Sequence, residues 1–261
     1  MLKFYNGERS THILLTNSGT IISSFIASKK MRIDWNSSVY LPASYDTSDA
    51  RYSVLFMFHG AGGHQLNFLE RMDMKGQLDA MHYEGIVVFV DGFNSFYLDG
   101  PGYPMESMIM EELIPHYLGM YRTNGDILLG GISMGGYGAL RLSMKYPNTF
   151  KKVFAIAPAV WAEMTPETET YAWSIFRDED GNYDFEKYHA NHPVSFAQTN
   201  TTQYFIETGM MDMIVPFADV DATVAVFEKY AQVCYTKIAD GDHGWPYFEA
   251  AVQRALKAIT E

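Results

Sequence analysis

The chain has 261 residues, 48% of them hydrophobic and 15% aromatic, enough for a sizeable core and unlike a disordered segment. Its formal net charge of −12 argues against nucleic acid or an anionic membrane as a partner, because both reward Lys and Arg. The one cysteine, Cys234, excludes an internal disulfide and argues against a cysteine zinc site; its run "QVCYTKI" reads as a small buried side chain in a strand.

The N-terminal twenty residues are polar and interrupted by Asn and Gly, without the apolar core of a signal peptide. No run reaches the ~18 apolar residues of a membrane span. The expectation is a cytoplasmic protein.

Two strand-like runs come first, residues 20–28 and 31–42, joined at Lys29 and Lys30 as an antiparallel hairpin. "SVLFMF" (53–58) is apolar on both faces and reads as a buried strand. A helix is expected at about 65–82, then the strand "IVVFV" (86–90). A Gly/Pro loop leads to a helix near 105–121, the strand 126–132, a helix near 134–146 and the strand 152–157. Strands at 203–209 and 234–240 follow, each succeeded by a helical run. Helical crossovers between buried strands imply an α/β fold, with a mostly parallel central sheet and helices on both faces. Residues 158–201 break the rhythm and carry no strong strand pattern. They read as an insertion or cap within a single domain covering 1–261.

"GGISMGGYGA" (130–139) places Ser133 in Gly131-Ile132-Ser133-Met134-Gly135, between a buried strand and a helix. A serine on a sharp strand-to-helix turn has strained backbone angles and needs small neighbours two residues away on each side. Ser133 is therefore a candidate nucleophile. His243, in the loop after the last strand, is the candidate base; His12, His82, His116, His189 and His192 have no comparable placement. Asp212 follows the strand 203–209 and a glycine, where a carboxylate can fix the imidazole tautomer. Asp219, Asp221, Asp240 and Asp242 are weaker candidates: the first two fall in a helix starting near Phe217, and Asp242 adjoins His243 on an extended loop. The turn "HGAGG" after the third strand supplies candidate oxyanion donors at Gly60 and Ala61, beside the N–H of Met134. His59 reads as scaffold for that turn. The turn lacks the Lys-Ser/Thr ending of a phosphate loop. Trp245, Phe93, Tyr97, Trp161 and Trp173 are candidate pocket aromatics, Trp245 foremost because it adjoins His243. Asp178, Glu179 and Asp180 lack the spacing of a calcium loop. No cofactor and no metal are expected.

With "VLFMFHGAGG", "VDGFNSFYLDG", "GGISMGGYGALRLSMKYPNTF", "ETGMMD" and "DGDHGWPYF", the sequence resembles the esterase D-type α/β-hydrolases over roughly residues 31–259. That family includes feruloyl, acetyl and tributyrin esterases, S-formylglutathione hydrolase and mycolyltransferases. The resemblance implies an α/β-hydrolase fold, with Ser133 as nucleophile, His243 as base and Asp212 as its carboxylate. It implies a serine carboxylesterase for short-chain or aromatic acyl esters, with a small-molecule partner such as an acylated sugar or phenolic ester. An acyltransferase or a catalytically silent binding domain is the alternative. S-formylglutathione hydrolysis is less expected, because the family's cysteine-bearing loop is absent near "HGAGGHQ".

Overall fold

The computed structural model describes residues 18–163 and 175–260. Eight strands form one sheet: β1 (Thr20–Ser28), β2 (Ile33–Leu41), β3 (Tyr52–Phe58), β4 (Ile86–Val90), β5 (Thr123–Ile132), β6 (Lys152–Ile156), β7 (Gln203–Gly209) and β8 (Gln232–Ile238). The spatial order is β1-β2-β4-β3-β5-β6-β7-β8. β1 and β2 pair antiparallel, as do β2 and β4; every pairing from β4 to β8 is parallel.

Alternation along the central strands feeds two cores. Val54, Phe56 and Phe58 of β3 point to one face, where they meet Val88, Val90, Tyr137 and Leu140. Leu55 and Met57 point to the other, toward Val87, Phe89, Val252 and Leu256. A sheet buried on both sides needs helices on both. They are α1 (Asn67–Arg71), α2 (Met74–Ala80), α3 (Met105–Met108), α4 (Ile114–Met120), α5 (Met134–Lys145), α6 (Phe185–Asn191), α7 (Phe217–Phe227) and α8 (Trp245–Thr260). The last buries Phe248, Val252 and Leu256 at helical spacing.

Three expectations from sequence are corrected. The helix at 65–82 is two helices, because Asp73 adopts φ 42° and its carboxylate caps α2 through the Gly76 N–H. The helix at 105–121 carries a π turn, Ile109–Leu113, between α3 and α4, just ahead of Pro115, which has no N–H to donate. β8 starts two residues earlier than expected, and Cys234 is exposed rather than buried. The reason is position: β8 is the sheet edge, and no residue in it is fully buried.

The parallel strands deliver their following loops to one edge. Those loops carry Gly60 (after β3), Phe96 (after β4), Ser133 (after β5), Trp161 (after β6), Asp212 (after β7) and His243 (after β8). The carboxyl edge of an open parallel sheet is where ligands bind. No helix among the described residues is long and apolar enough to cross a membrane.

Candidate active site

Ser133 stands at φ 52°, ψ −117°, outside the regions open to an ordinary L-residue. Its backbone is over-determined: its N–H donates to the Ile156 carbonyl (2.9 Å), and its own carbonyl accepts from Tyr137 and Ala159 (3.0 Å each). The flanking glycines are required by close approach. A Cβ on Gly131 would run into the Gly135 carbonyl, and one on Gly135 into the Phe58 carbonyl. The turn can be this tight only with both side chains missing.

His243 reaches Ser133 from the loop before α8, its Nε2 2.9 Å from the Ser133 Oγ. Its Nδ1 is 2.6 Å from Asp212 Oδ2. The other oxygen, Asp212 Oδ1, accepts the N–H groups of Ile214 and Val215 at 2.8 Å each. The Asp212 side chain is wholly buried and that of His243 is 15% exposed, so this chain of contacts is shielded at the carboxylate and open at the serine. With Asp212 ionised, the imidazole carries its proton on Nδ1 and presents a lone pair on Nε2 to the serine. Asp242 is turned to its own loop, accepting from the Gly244 N–H at 2.8 Å. Asp221, on α7, instead accepts from the Tyr235 hydroxyl (2.7 Å) and Lys237 (3.1 Å) of β8.

The turn after β3 lies against the candidate nucleophile: a Cβ on Gly60 would stand 3.4 Å from that of Ser133. Within the turn, the Gly60 carbonyl is held by the Gly63 N–H and His59 Nδ1, and the Gly62 N–H by Asn94 Oδ1 at 2.6 Å, with Ala61 between them. Met134 opens α5, where an N–H has no partner inside the helix. The dipole of α5 also favours negative charge at this end.

His59 is fully buried and braces this turn. Its Nε2 accepts the Gly92 N–H (2.9 Å), so its Nδ1–H donates to Gly60 (2.8 Å). Asp91 Oδ1 lies 3.6 Å from Nε2.

A cavity of about 260 Å³ opens over Ser133. Gly60, Ala61, Met134, His243, Trp161 and Trp245 line it. Phe93 and Tyr97 do not. Phe93 turns outward, 58% exposed, and meets Trp35 edge-on at 5.2 Å. Tyr97 is fully buried, stacked on Phe58 at 4.0 Å, with its hydroxyl donating to the His59 carbonyl at 3.1 Å. Gly138 makes room for that ring, since a Cβ there would stand 2.5 Å from it. The residue of this loop that faces the cavity is Phe96, packed near Trp161 at 6.3 Å. Phe93, Phe96 and Tyr97 all have positive φ, so side-chain direction in this loop follows no simple period.

The sequence reading also omitted Phe248, Ile214, Asn67 and Arg71, all on the cavity wall. Phe248 was findable: it lies three residues after Trp245 on the same helix, and its ring meets His243 edge-on at 5.1 Å. Trp161 is fixed by its Nε1–H donating to the Ile214 carbonyl (2.7 Å) and by the Tyr188 hydroxyl donating to its own carbonyl (2.8 Å). Trp173 lies outside the described residues. The Asp178 carboxylate closes its own turn by accepting from the Asp180 and Asn182 N–H groups at 3.0 and 2.7 Å.

A family model described as putative esterase matches residues 28–259. An esterase of Mycobacterium tuberculosis (strain H37Rv) is 31% identical over 130 residues, 45% of this chain and 28% of that protein. An acetyl esterase of Caldicellulosiruptor saccharolyticus is 28% identical over 120 residues, 44% of each. The matches therefore span less than half the length of these curated relatives. Among solved structures, a ferulic acid esterase aligns with a TM-score of 0.77 at 20% identity, over 94% of this chain and 98% of that one. At that identity the likeness shows the fold alone. The sheet order, the helices on both faces and the match along nearly the whole length agree: the chain belongs to the putative esterase family and has the α/β-hydrolase fold.

Proposed function

We propose that the chain is a serine carboxylesterase that works through an acyl-enzyme on Ser133. One observation carries this reading: the unbroken contact chain from Ser133 Oγ to His243 Nε2 and from His243 Nδ1 to Asp212. Ser133 Oγ attacks the ester carbonyl carbon as its proton passes to Nε2. The buried Asp212 carboxylate stabilises the imidazolium. Negative charge gathers on the carbonyl oxygen, which the Met134 and Ala61 N–H groups receive, with Gly60 allowing the close approach. Collapse breaks the ester C–O bond, and His243 returns the proton to the leaving alcohol. Water then repeats the sequence on the acyl-serine, with His243 as base, and releases the acid.

The substrate side follows from the cavity. Its volume of about 260 Å³ and its Phe96, Trp161, Trp245 and Phe248 walls suit a short acyl group or a single aromatic ring better than a long aliphatic chain. Acylated sugars and phenolic esters fall in that class. The names of its relatives, acetyl esterase and ferulic acid esterase, point the same way. The reading of residues 158–201 as an insertion or cap within one domain is supported by Ala159 and Trp161, which reach the cavity from it.

The test uses 4-nitrophenyl acetate, butyrate and palmitate with methyl ferulate. The expected result is turnover of the short or aromatic esters above the palmitate, and a loss of several orders of magnitude in Ser133→Ala. A fluorophosphonate should label Ser133, read by peptide mass spectrometry. Wild-type turnover in Ser133→Ala, or labelling elsewhere, overturns the reading. Acyl transfer to an added alcohol in preference to water would redirect it to an acyltransferase.

A further inference from the structure

The described wall of the catalytic cavity carries a positive side chain, against the negative charge of the chain as a whole. The protein carries a formal −12, yet among the described residues no Asp or Glu lines the cavity, and its wall includes Arg71. Asp212, the nearest carboxylate to the chemistry, is wholly buried and engaged by His243 and two backbone N–H groups. Glu70, adjacent to Arg71 in sequence, is not on the wall and lies 3.9 Å from His64.

Arg71 is an exposed residue on the wall of the cavity that holds Ser133 and His243. It ends α1, four residues after Asn67, so the two share a helix face one turn apart. Asn67 also lines the cavity, and its Oδ1 accepts the His64 N–H at 3.0 Å at the end of the turn that carries Gly60 and Ala61. Arg71 itself makes no hydrogen bond or ion pair with any described residue. Three other arginines are committed: Arg141 to Glu106 at 2.6 Å, Arg254 to Glu207 at 2.7 Å, and Arg122 to backbone carbonyls. A planar guanidinium with free donors, on a wall with no acid among its described residues, matches a carboxylate in two parallel hydrogen bonds.

We propose that Arg71 is a specificity-determining residue that receives a carboxylate carried by the ester substrate. The proposal rests on the esterase reading of the same cavity. The carboxylate can sit on either side of the scissile bond, as in a half-ester of a dicarboxylic acid or in an acylated hydroxy acid. A purely structural role, in which Arg71 only complements the carbonyl end of α1, would leave substrate preference unchanged.

The experiment compares isosteric pairs. For the acyl side these are 4-nitrophenyl hemisuccinate and 4-nitrophenyl succinamate; for the alcohol side, 4-acetoxybenzoate and 4-acetoxybenzamide. The readout is the anionic-to-neutral ratio of kcat/KM in wild type, Arg71→Gln and Arg71→Glu, so intrinsic ester reactivity cancels between proteins. The expected result, on one arm, is a ratio about fivefold or more higher in wild type than in Arg71→Gln, lower still in Arg71→Glu, and eroded by added salt. A ratio that is unchanged by both substitutions on both arms overturns the proposal. Should wild type hydrolyse none of these esters, the esterase reading fails separately. Calorimetric titration of Ser133→Ala and of the Ser133→Ala, Arg71→Gln double variant with 4-hydroxybenzoate, 4-hydroxybenzamide, methyl hemisuccinate and methyl succinamate then decides Arg71. Tighter binding of a carboxylate member that depends on Arg71 supports it, and equal or undetectable binding of both members of each pair overturns it.

Discussion

Asp212→Asn is the sharpest probe of the contact chain, because the structure dictates which way the new amide must face. In the wild-type protein Oδ1 accepts two N–H groups, from Ile214 and Val215, at 2.8 Å each, while Oδ2 faces His243 Nδ1 at 2.6 Å. An asparagine keeps one carbonyl oxygen. The two backbone donors claim it, which turns the NH₂ toward Nδ1. A donor now faces the position that carried the imidazole proton, so the ring shifts that proton to Nε2 and can no longer accept one from Ser133. In a hydrolytic triad this tautomer error costs about four orders of magnitude in kcat, or ~5 kcal/mol of transition-state stabilisation. The backbone hydrogen bonds survive the change, so thermal unfolding should move little. Turnover of 4-nitrophenyl butyrate by Asp212→Asn, Asp219→Asn, Asp221→Asn and Asp242→Asn, beside their melting curves, is the assay. Only Asp212→Asn should collapse. A folded Asp212→Asn with turnover within tenfold of wild type, or an equally crippled Asp242→Asn, would refute the reasoning.

Phe96→Ala should raise KM for aromatic esters and slow their turnover, whereas Phe93→Ala should change neither by more than about twofold, since Phe93 leans outward on Trp35; steady-state kinetics with methyl ferulate separate the two. Burial holds the His192 imidazole down to about 4, with His189 adding to the effect. The unfolded chain therefore binds a proton that the folded one refuses between roughly pH 6.5 and 4, and stability falls by up to about 3 kcal/mol as pH drops through that window. His192→Asn, which can still accept the Val194 N–H, should flatten that part of a denaturant-midpoint curve. For Glu106 burial alone would raise the carboxyl, but Arg141, Lys145 and Tyr146 together bring it below the usual range. Its contribution is fully present above the unfolded value near 4 and is lost as pH falls through the lower folded value. Glu106→Gln leaves the Arg141 guanidinium buried without its counter-charge and should cost about 3–5 kcal/mol near neutral pH, read from urea unfolding.

Much of the fold was legible in the sequence because the buried strands are short apolar runs bounded by turn residues. β1, β4 and β7 stand at the residues where the pattern put them, 20–28, 86–90 and 203–209. Legibility ended where local geometry overrode the apolar pattern. A left-handed Asp73 splits a helix that periodicity joins. Pro115 disturbs a helix whose apolar face runs on unbroken, from Met108 and Ile109 to Leu113 and Tyr117. Cys234 has the neighbours of a buried residue, but no sequence pattern says that its strand is the last in the sheet.

The same division runs through the candidate site, and it has a physical cause. Ser133, Asp212 and His243 sit within a few residues of strand ends, so the sheet fixes their backbones and only short side chains remain to be aimed. The cavity wall is built differently. Phe93, Phe96 and Tyr97 share one loop and one residue type or nearly so, yet one faces solvent, one faces the cavity and one fills the space above Gly138. What sorts them is tertiary: a missing Cβ at Gly138 admits Tyr97, and Trp35 gives Phe93 a ring to lean on. Arg71 was silent for a related reason. In sequence it is an ordinary cation at the end of a helix, where a basic residue is expected on electrostatic grounds alone. Its distinction is the wall around it, which carries no acid among the described residues and is assembled from six strand-end loops and the helices α1, α5 and α8. Chemistry anchored to strand ends can thus be read from motif and order, while the features that select a substrate exist only once those loops meet.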